Sequence, residues 1–284
     1  MAILENFLPL QPALQNTLQL KDYQQQIHGR QGISYFYSFI TSSYPDNTLV
    51  IPDNCIDIIF ECGNYHPAAR ICGTVSHYKP INLNTNRRYF GIRFMPGVMP
   101  NYIDLTPEDM PDHEYDFMDV IPGEEKMLEH ITSCEDFLQQ IDIYHNRLAE
   151  KPLRKTSEIT KYIINEAILH NGNIKIGDLE NNIGYSSRNI YRIFLNDTGV
   201  GLKLFTRFLR MQIAINLLSQ EARHPLTRIA VELGFSDQSH FIRDFKALTG
   251  VSPRKMRTQF NPPNGSPLLS RVSALAQSDC PRYH

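Results

Sequence analysis

Residues 229–253 read IAVELGFSDQSHFIRDFKALTGVSP, and this stretch predicts two short helices joined by a tight turn. The first helix has one apolar face at helical spacing, formed by Ile229, Ala230 and Leu233. Gly234 ends that helix, because glycine adopts a positive φ without steric cost. Ser236 is a favourable N-cap, so a second helix can begin at once. In the second helix Phe241 and Phe245 face the core, which leaves a polar and basic outer face typical of a helix-turn-helix.

The same pattern occurs a second time, upstream, at an offset of 50 residues that becomes 51 after the serine. The upstream residues that match are Leu179, Ile183, Gly184, Tyr185 and Ser186, followed by Ile190, Arg192, Phe194 and Gly199. A single amphipathic pair of helices can arise by chance. Two copies that agree in their capping, glycine and core positions instead predict tandem modules, and two units are too few for a repeat array.

A segment with an apolar stripe joins the two modules. Residues 202–219 read LKLFTRFLRMQIAINLLS, with apolar residues at three- and four-residue steps. About 18 residues at ~1.5 Å each form a rod of ~27 Å, which is close to the ~34 Å of one DNA turn. We therefore expect the second helix of each module to enter successive major grooves on one face of the duplex.

The motif LGFSDQSHFIRDFKALTGVSP and its upstream copy resemble the DNA-binding domain of the AraC/XylS family of bacterial transcription regulators, over roughly residues 157–258. The resemblance implies an all-helical domain with two helix-turn-helix motifs joined by one long helix. It also implies that DNA contacts come from outward positions of the second helices, here Ser187, Arg188, Tyr191, Arg192, Gln238, Ser239, His240 and Arg243. Tyr191 departs from the family's usual small or amide side chain, so it could stack on a thymine methyl group or a sugar, or simply pack.

Charge divides the chain into two halves. Residues 1–150 hold 9 Lys and Arg against 20 Asp and Glu, whereas residues 151–262 hold 17 against 9. The net charge of −2 for the whole chain therefore conceals a basic half that coincides with the tandem motifs. This coincidence favours double-stranded DNA as a partner.

The N-terminal half predicts a different fold. Short β-branched and aromatic runs are separated by turn residues, at Ile33–Ile40, Thr48–Ile51, Cys55–Glu61, Ile81–Leu83 and Tyr89–Phe94. The stretches IPDNCIDIIFE and YFGIRFMPG resemble the N-terminal, cupin-like β-domain of one AraC subgroup. The predicted fold class is thus α+β in two domains: a β-barrel-like domain with a helical segment, then an all-α domain with two helix-turn-helix motifs.

No metal or catalytic constellation is predicted in either half. Cys55, Cys62 and Cys72 are too far apart for a zinc-site pair, so they are expected to be free cysteines, with a reactive sensor thiol as the alternative. Arg70, Arg88 and Arg93 could bind an anionic ligand in a barrel mouth, or act as surface ion-pair partners. The acidic stretch Glu108–Asp119 is interpreted as a solvated loop.

A helix is predicted at Glu135–Glu150, with Ser133 as its N-cap. Its apolar stripe is formed by Phe137, Ile141, Tyr144 and Leu148. This stripe either packs on the β-domain or forms a dimerisation surface. We predict a ligand-sensing or dimerisation domain at 1–150, a linker at 151–156, the DNA-binding domain at 157–262 and a flexible tail at 263–284.

The predicted function is a cytoplasmic, sequence-specific transcription regulator without enzymatic activity or cofactor. The family habit favours activation, with RNA polymerase, a small-molecule effector and a second copy of the chain as further partners. No signal peptide or membrane-spanning run is predicted. The alternative is a ligand- or partner-binding module whose DNA contact stays weak until a signal arrives.

Overall fold

A computed structural model of the chain describes residues 9–12, 21–42, 49–63, 67–220 and 224–260. The predicted flexible tail at 263–284 lies outside these residues. None of the helices described there is both long and apolar enough to cross a membrane. A sheet-rich N-terminal part precedes a helical C-terminal part, as the sequence predicts.

The N-terminal part is built on a six-stranded antiparallel sheet. Its strands are β1 Lys21–Arg30, β2 Ile33–Ile40, β4 Asp57–Cys62, β5 Ala68–Cys72, β7 Arg88–Phe94 and β8 Glu114–Asp116. They lie in the order β1-β2-β7-β4-β5-β8. A separate ribbon pairs β3 Leu49–Val50 with β6 Lys79–Pro80. The predicted strand at Ile81–Leu83 is therefore wrong, since the pairing residues lie just before it.

Strands β1 and β8 were missed because they lack apolar alternation. β1 is exposed along much of its length and pairs with β2 alone among the described strands, so it carries polar residues such as Gln24 and Gln26. β8 lies inside the acidic stretch Glu108–Asp119, which also holds part of a 3-10 turn, Pro107–Asp109, and the short helix α1, Phe117–Val120. The interpretation of that stretch as a plain loop is wrong, because Phe117 is buried and anchors it to the core.

Two helices cover one face of the sheet: α2, Glu125–Ser133, and α3, Phe137–Tyr144, which continues as a π-helical turn at His145–Ala149. The N-cap of α3 is Asp136, whose side chain accepts a hydrogen bond from the Gln139 N–H, and the prediction of Ser133 is wrong. Ser133 instead ends α2, a helix that the sequence did not reveal.

The apolar stripe of α3 faces the sheet. Its members are between 0% and 7% exposed and belong to the main core cluster: Phe137, Ile141, Tyr144 and Leu148. The Phe137 ring lies 6.0 Å from Phe90 of β7, and the Tyr144 ring lies 5.7 Å from Phe36 of β2. The stripe is thus buried within one chain, which corrects its interpretation as a dimerisation surface: exposing it would open the core.

The C-terminal part consists of helices α4 to α10. Their bounds are α4 Glu158–Leu169, α5 Ile176–Ile183, α6 Ser187–Thr198, α7 Leu202–Gln220, α8 Leu226–Glu232, α9 Gln238–Thr249 and α10 Pro253–Phe260. α7 contributes to both apolar clusters of this part, through Phe205 to the upstream one and Phe208 to the downstream one. Residues 151–154 run along the N-terminal part, where the Arg154 N–H donates to the Met99 carbonyl.

Candidate DNA-binding surface

The first helix-turn-helix is formed by α5 and α6. Gly184 ends α5 in the left-handed conformation, with a φ of 75°, as the sequence predicts. The apolar sides of both helices are buried in one cluster with α7, through Leu179, Ile190, Phe194 and Phe205. The Ser187 N–H, which the helix start leaves without an intrahelical partner, donates to the Glu180 carboxylate. Core packing and this contact fix α6 and leave its other side to solvent.

That side is the first recognition face, which we define as Ser187, Arg188, Tyr191 and Arg192. All four residues are exposed. The Tyr191 ring also packs beside the backbone of Gly201, where a β-carbon would come within 3.0 Å of the ring. With about half of its surface exposed, Tyr191 is held in place on one side and open to solvent on the other.

The second helix-turn-helix is formed by α8 and α9. Gly234 follows α8 with a φ of 71°, as predicted, and Phe241 and Phe245 are buried. The N-cap of α9 is Asp237, because its Oδ1 accepts from the His240 N–H at 2.7 Å. The prediction of Ser236 as the cap is therefore wrong by one residue.

The second recognition face comprises Gln238, Ser239, His240 and Arg243. Gln238 is half-buried, and the other three residues are exposed. By the offset of 51 residues, Asn189 on α6 is equivalent to His240 on α9, and Asn189 is exposed as well. Asn189 is therefore a further outward residue of α6, and the repeat offset alone is enough to find it.

Helix α7 holds the two modules together and orients α9. Arg207 of α7 donates from Nε to Asp244 Oδ1 of α9 at 2.7 Å, and its Nη2 lies 2.6 Å from the same oxygen. One turn along α7, the Arg210 guanidinium lies 4.9 Å from the centre of the Phe235 ring in the turn before α9. These contacts fix the second recognition helix at its side and near its start.

The N-terminal part contacts the middle of α7 through a fully buried amide. Gln212 Oε1 accepts from the Leu10 N–H at 2.8 Å, and Gln212 Nε2 donates to the Pro52 carbonyl at 2.9 Å. Asn54 Nδ2 adds a bond of 3.2 Å to the Phe205 carbonyl. The side-chain polar atoms of Gln212 are thus satisfied by the N-terminal part, which a buried amide in a helix requires.

The N-terminal part also contacts the C-terminal end of each recognition helix. Gly199 caps α6, and a β-carbon there would lie 1.9 Å from the Pro107 carbonyl oxygen. Gly250 caps α9, and a β-carbon there would lie 2.9 Å from the Tyr78 ring. The two equivalent capping glycines are therefore contacted from the side of the β-rich part, while the recognition faces stay exposed.

The three candidate ligand-binding arginines do not converge. Arg93 is buried between two carboxylates, bonded to Asp53 Oδ2 at 2.6 Å and to Asp57 at 2.6 and 3.0 Å. Burial lowers the pKa of Arg93, but Asp53 and Asp57 outweigh it and raise that pKa well above its ordinary value. Strand register puts Arg70 on this same face of the sheet and Arg88 on the opposite face.

The prediction that these three arginines bind one ligand together is therefore wrong. Arg93 is already neutralised, Arg70 donates to the Asn82 carbonyl, and Arg88 donates to the Glu135 carbonyl. Arg70 does have the ion-pair role of the alternative interpretation, with Glu114 at 3.7 Å. Arg93 also forms ion pairs, with Asp53 and Asp57, but these lie in the interior rather than at the surface.

Cys55, Cys62 and Cys72 are not activated thiols. Burial raises the pKa of Cys62 to about 11 and that of Cys72 to about 12, and it raises the pKa of Cys55 well above its ordinary value. A reactive sensor cysteine needs a lowered pKa, because the thiolate is the nucleophile. All three are free, as expected.

Comparison with known proteins gives one family match in each part of the chain. A helix-turn-helix domain family matches residues 179–259, and a domain family of unknown function matches residues 30–116. The probable transcription factor PqrA of Proteus vulgaris is 34% identical over 101 residues, which cover 36% of this chain and 81% of PqrA. The putative HTH-type transcriptional regulator YkgA of Escherichia coli is 40% identical over 84 residues, or 30% of this chain.

The match spans 35% of the length of YkgA. Among solved structures, a probable AraC family transcriptional regulator from Rhodopseudomonas palustris is 30% identical, over 37% of this chain and 94% of that one, with a TM-score of 0.32.

Proposed function

This chain belongs to the AraC family of transcription regulators, and on that premise we propose that it binds promoter DNA sequence-specifically, with α6 and α9 in two successive major grooves. The observation that carries the proposal is that seven of the eight residues of the two recognition faces are exposed, on modules joined by one helix. The 19 residues of α7 span about 28 Å at ~1.5 Å each, close to the ~34 Å of one DNA turn.

Arg192 and Arg243 are the proposed base readers. They occupy equivalent positions on the two recognition helices, and both side chains are exposed. A guanidinium can donate two parallel hydrogen bonds to guanine O6 and N7, which is worth about 1–3 kcal/mol of discrimination. Each arginine then specifies a guanine in its own half of the site.

The basic charge of residues 151–262 supplies the sequence-independent part of the affinity. Lysines and arginines that neutralise phosphates release counterions, so binding weakens as salt increases. The exposed cations Lys203, Lys246, Arg254 and Lys255 lie on or next to the two modules and are suited to such contacts.

The N-terminal part regulates binding by positioning the modules rather than by covering them. Both recognition faces are exposed while this part contacts Gln212 and the two capping glycines, Gly199 and Gly250. A small effector that alters these contacts would change the relative placement of α6 and α9. In this proposal the protein acts in the cytoplasm as an activator that contacts RNA polymerase, and a homodimer would use a surface other than the α3 stripe.

Selection from a random DNA library with the full-length chain tests the proposal. We expect a consensus with two conserved blocks about one turn apart and an affinity that falls steeply as salt increases. Lys126→Ala, a charge removal on the exposed side of α2, is the control and should leave affinity unchanged. Selection of no sequence, or of one short block, would contradict two-groove binding.

A further inference from the structure

His240 differs from the other residues of the second recognition face because its ring is held by the protein. Its imidazole meets the Phe235 ring edge-on, with centroids 5.2 Å apart and an interplanar angle of 89°. Its Nδ1 lies 3.2 Å from Ser236 Oγ. The Arg210 guanidinium also lies over the Phe235 ring. An exposed side chain that is fixed on two sides loses little entropy when it binds.

The hydrogen bonds around Ser236 determine which ring nitrogen carries the proton. Ser236 has one hydroxyl proton, and it donates to Asp237 Oδ2 at 3.2 Å. The bonds from the His240 N–H and the Ser236 hydroxyl hold the pKa of Asp237 below its ordinary value, so this acceptor is a carboxylate. A carboxylate can only accept, so we assign the serine proton to Asp237 and a ring proton to Nδ1, which donates to Ser236 Oγ. In this tautomer the lone pair lies on Nε2.

Nε2 has no hydrogen-bond partner within the part of the chain that the structure describes. We propose that His240 reads one base pair by accepting a hydrogen bond at Nε2, so that α9 selects adenine or cytosine at that position. In the major groove the donors are the exocyclic amines, N6 of adenine and N4 of cytosine. Guanine and thymine would present acceptor oxygens to the lone pair, and a phosphate oxygen would do the same.

This inference rests on the proposed function, in which α9 enters a major groove. It specifies which bases His240 selects. Residue type alone does not specify them, since histidine can donate, accept or carry a charge. The ambiguity is removed by the chain from Nδ1 through Ser236 to Asp237. Asn189, at the equivalent position of α6, has no such chain among the described residues and provides a matched control.

The test uses the full-length chain and its selected DNA site. Wild type should prefer adenine or cytosine at one position of the downstream block. Removing the exocyclic amine there, with purine for adenine or 2-pyrimidinone for cytosine, should weaken binding about 3- to 10-fold, the range for one hydrogen bond. His240→Ala should be insensitive to that replacement. Ser236→Ala should lose much of the preference and keep its fold, because Asp237 still caps α9.

Asn189→Ala should keep the amine sensitivity and alter the upstream block. The inference is overturned if the wild-type position selects guanine or thymine, or if His240→Ala weakens binding equally with every base, which would indicate a backbone contact. Selection of no sequence by the full-length chain would refute the proposed function itself. Selection of a site without amine sensitivity would refute only the role of His240.

Discussion

Gln212→Leu is the perturbation that most sharply probes the contact between the two parts of the chain. Leucine matches glutamine in size and helix propensity, so α7 itself should be unaffected. The change removes both hydrogen bonds of the buried amide, to the Leu10 N–H and the Pro52 carbonyl. The Leu10 N–H and the Pro52 carbonyl are then both buried without a partner. Each such group costs about 1–3 kcal/mol, so the upper limit for the two is about 6 kcal/mol.

Partial opening of the interface admits water and lowers that cost, and we expect a loss of about 2–4 kcal/mol in the free energy of unfolding. Urea titration followed by circular dichroism measures it. The control is Asn216→Ala one turn later, where the amide bonds the Gln212 carbonyl within the helix and not the N-terminal part. Fluorescence anisotropy should also show that Gln212→Leu tolerates an inserted base pair between the two DNA blocks better than wild type. Unchanged stability and unchanged spacing preference would refute the reasoning.

Three further predictions concern charged contacts. Arg93→Met leaves Asp53 and Asp57 buried without their cation and should cost about 3–5 kcal/mol in urea unfolding, whereas Arg87→Met, at an exposed pair 3.5 Å from Glu61, should cost under about 1 kcal/mol. Arg207→Gln should weaken binding to the downstream DNA block and spare the upstream block in footprinting, because Asp244 loses the contact that orients α9. Burial raises the pKa of Glu124, but the bonds from Lys151 and Arg147 outweigh it and lower that pKa. Its stabilisation is therefore present above the unfolded pKa and disappears as pH falls through the folded one. Glu124→Gln should be less stable than wild type at neutral pH, with a difference that vanishes in acid; a constant difference would contradict this.

The helix-turn-helix modules could be predicted from sequence because each depends on local signals. Gly184 and Gly234 take left-handed backbone that favours glycine, and Phe241 and Phe245 repeat at one helical turn. The helical spacing of apolar residues also predicted α7 and the all-helical class of the C-terminal part. The exact cap of α9 did not follow, because Ser236 and Asp237 are both good caps and only the backbone geometry selects between them.

The sequence predictions that are wrong concern features set by contacts between residues far apart along the chain. β1 is a polar edge strand whose pairing depends on β2, so no apolar pattern marks it. From sequence alone Arg93 has the features of a ligand-binding cation. The carboxylates that neutralise it, Asp53 and Asp57, lie 40 and 36 residues away along the chain. The α3 stripe has the same spacing whether it packs on a sheet or on a second chain. The residues of the candidate DNA surface remain predictions, although their exposure is compatible with that role.

The central claim is that two equivalent arginines read two separate grooves. Footprinting and competition on the selected site, with Arg192→Ala and Arg243→Ala in the full-length chain, test it most directly. Each variant should lose about 1–3 kcal/mol of base discrimination in one block only, Arg192→Ala upstream and Arg243→Ala downstream, with the other block unchanged. Loss in both blocks from either change, or a footprint identical to that of wild type, would contradict the account.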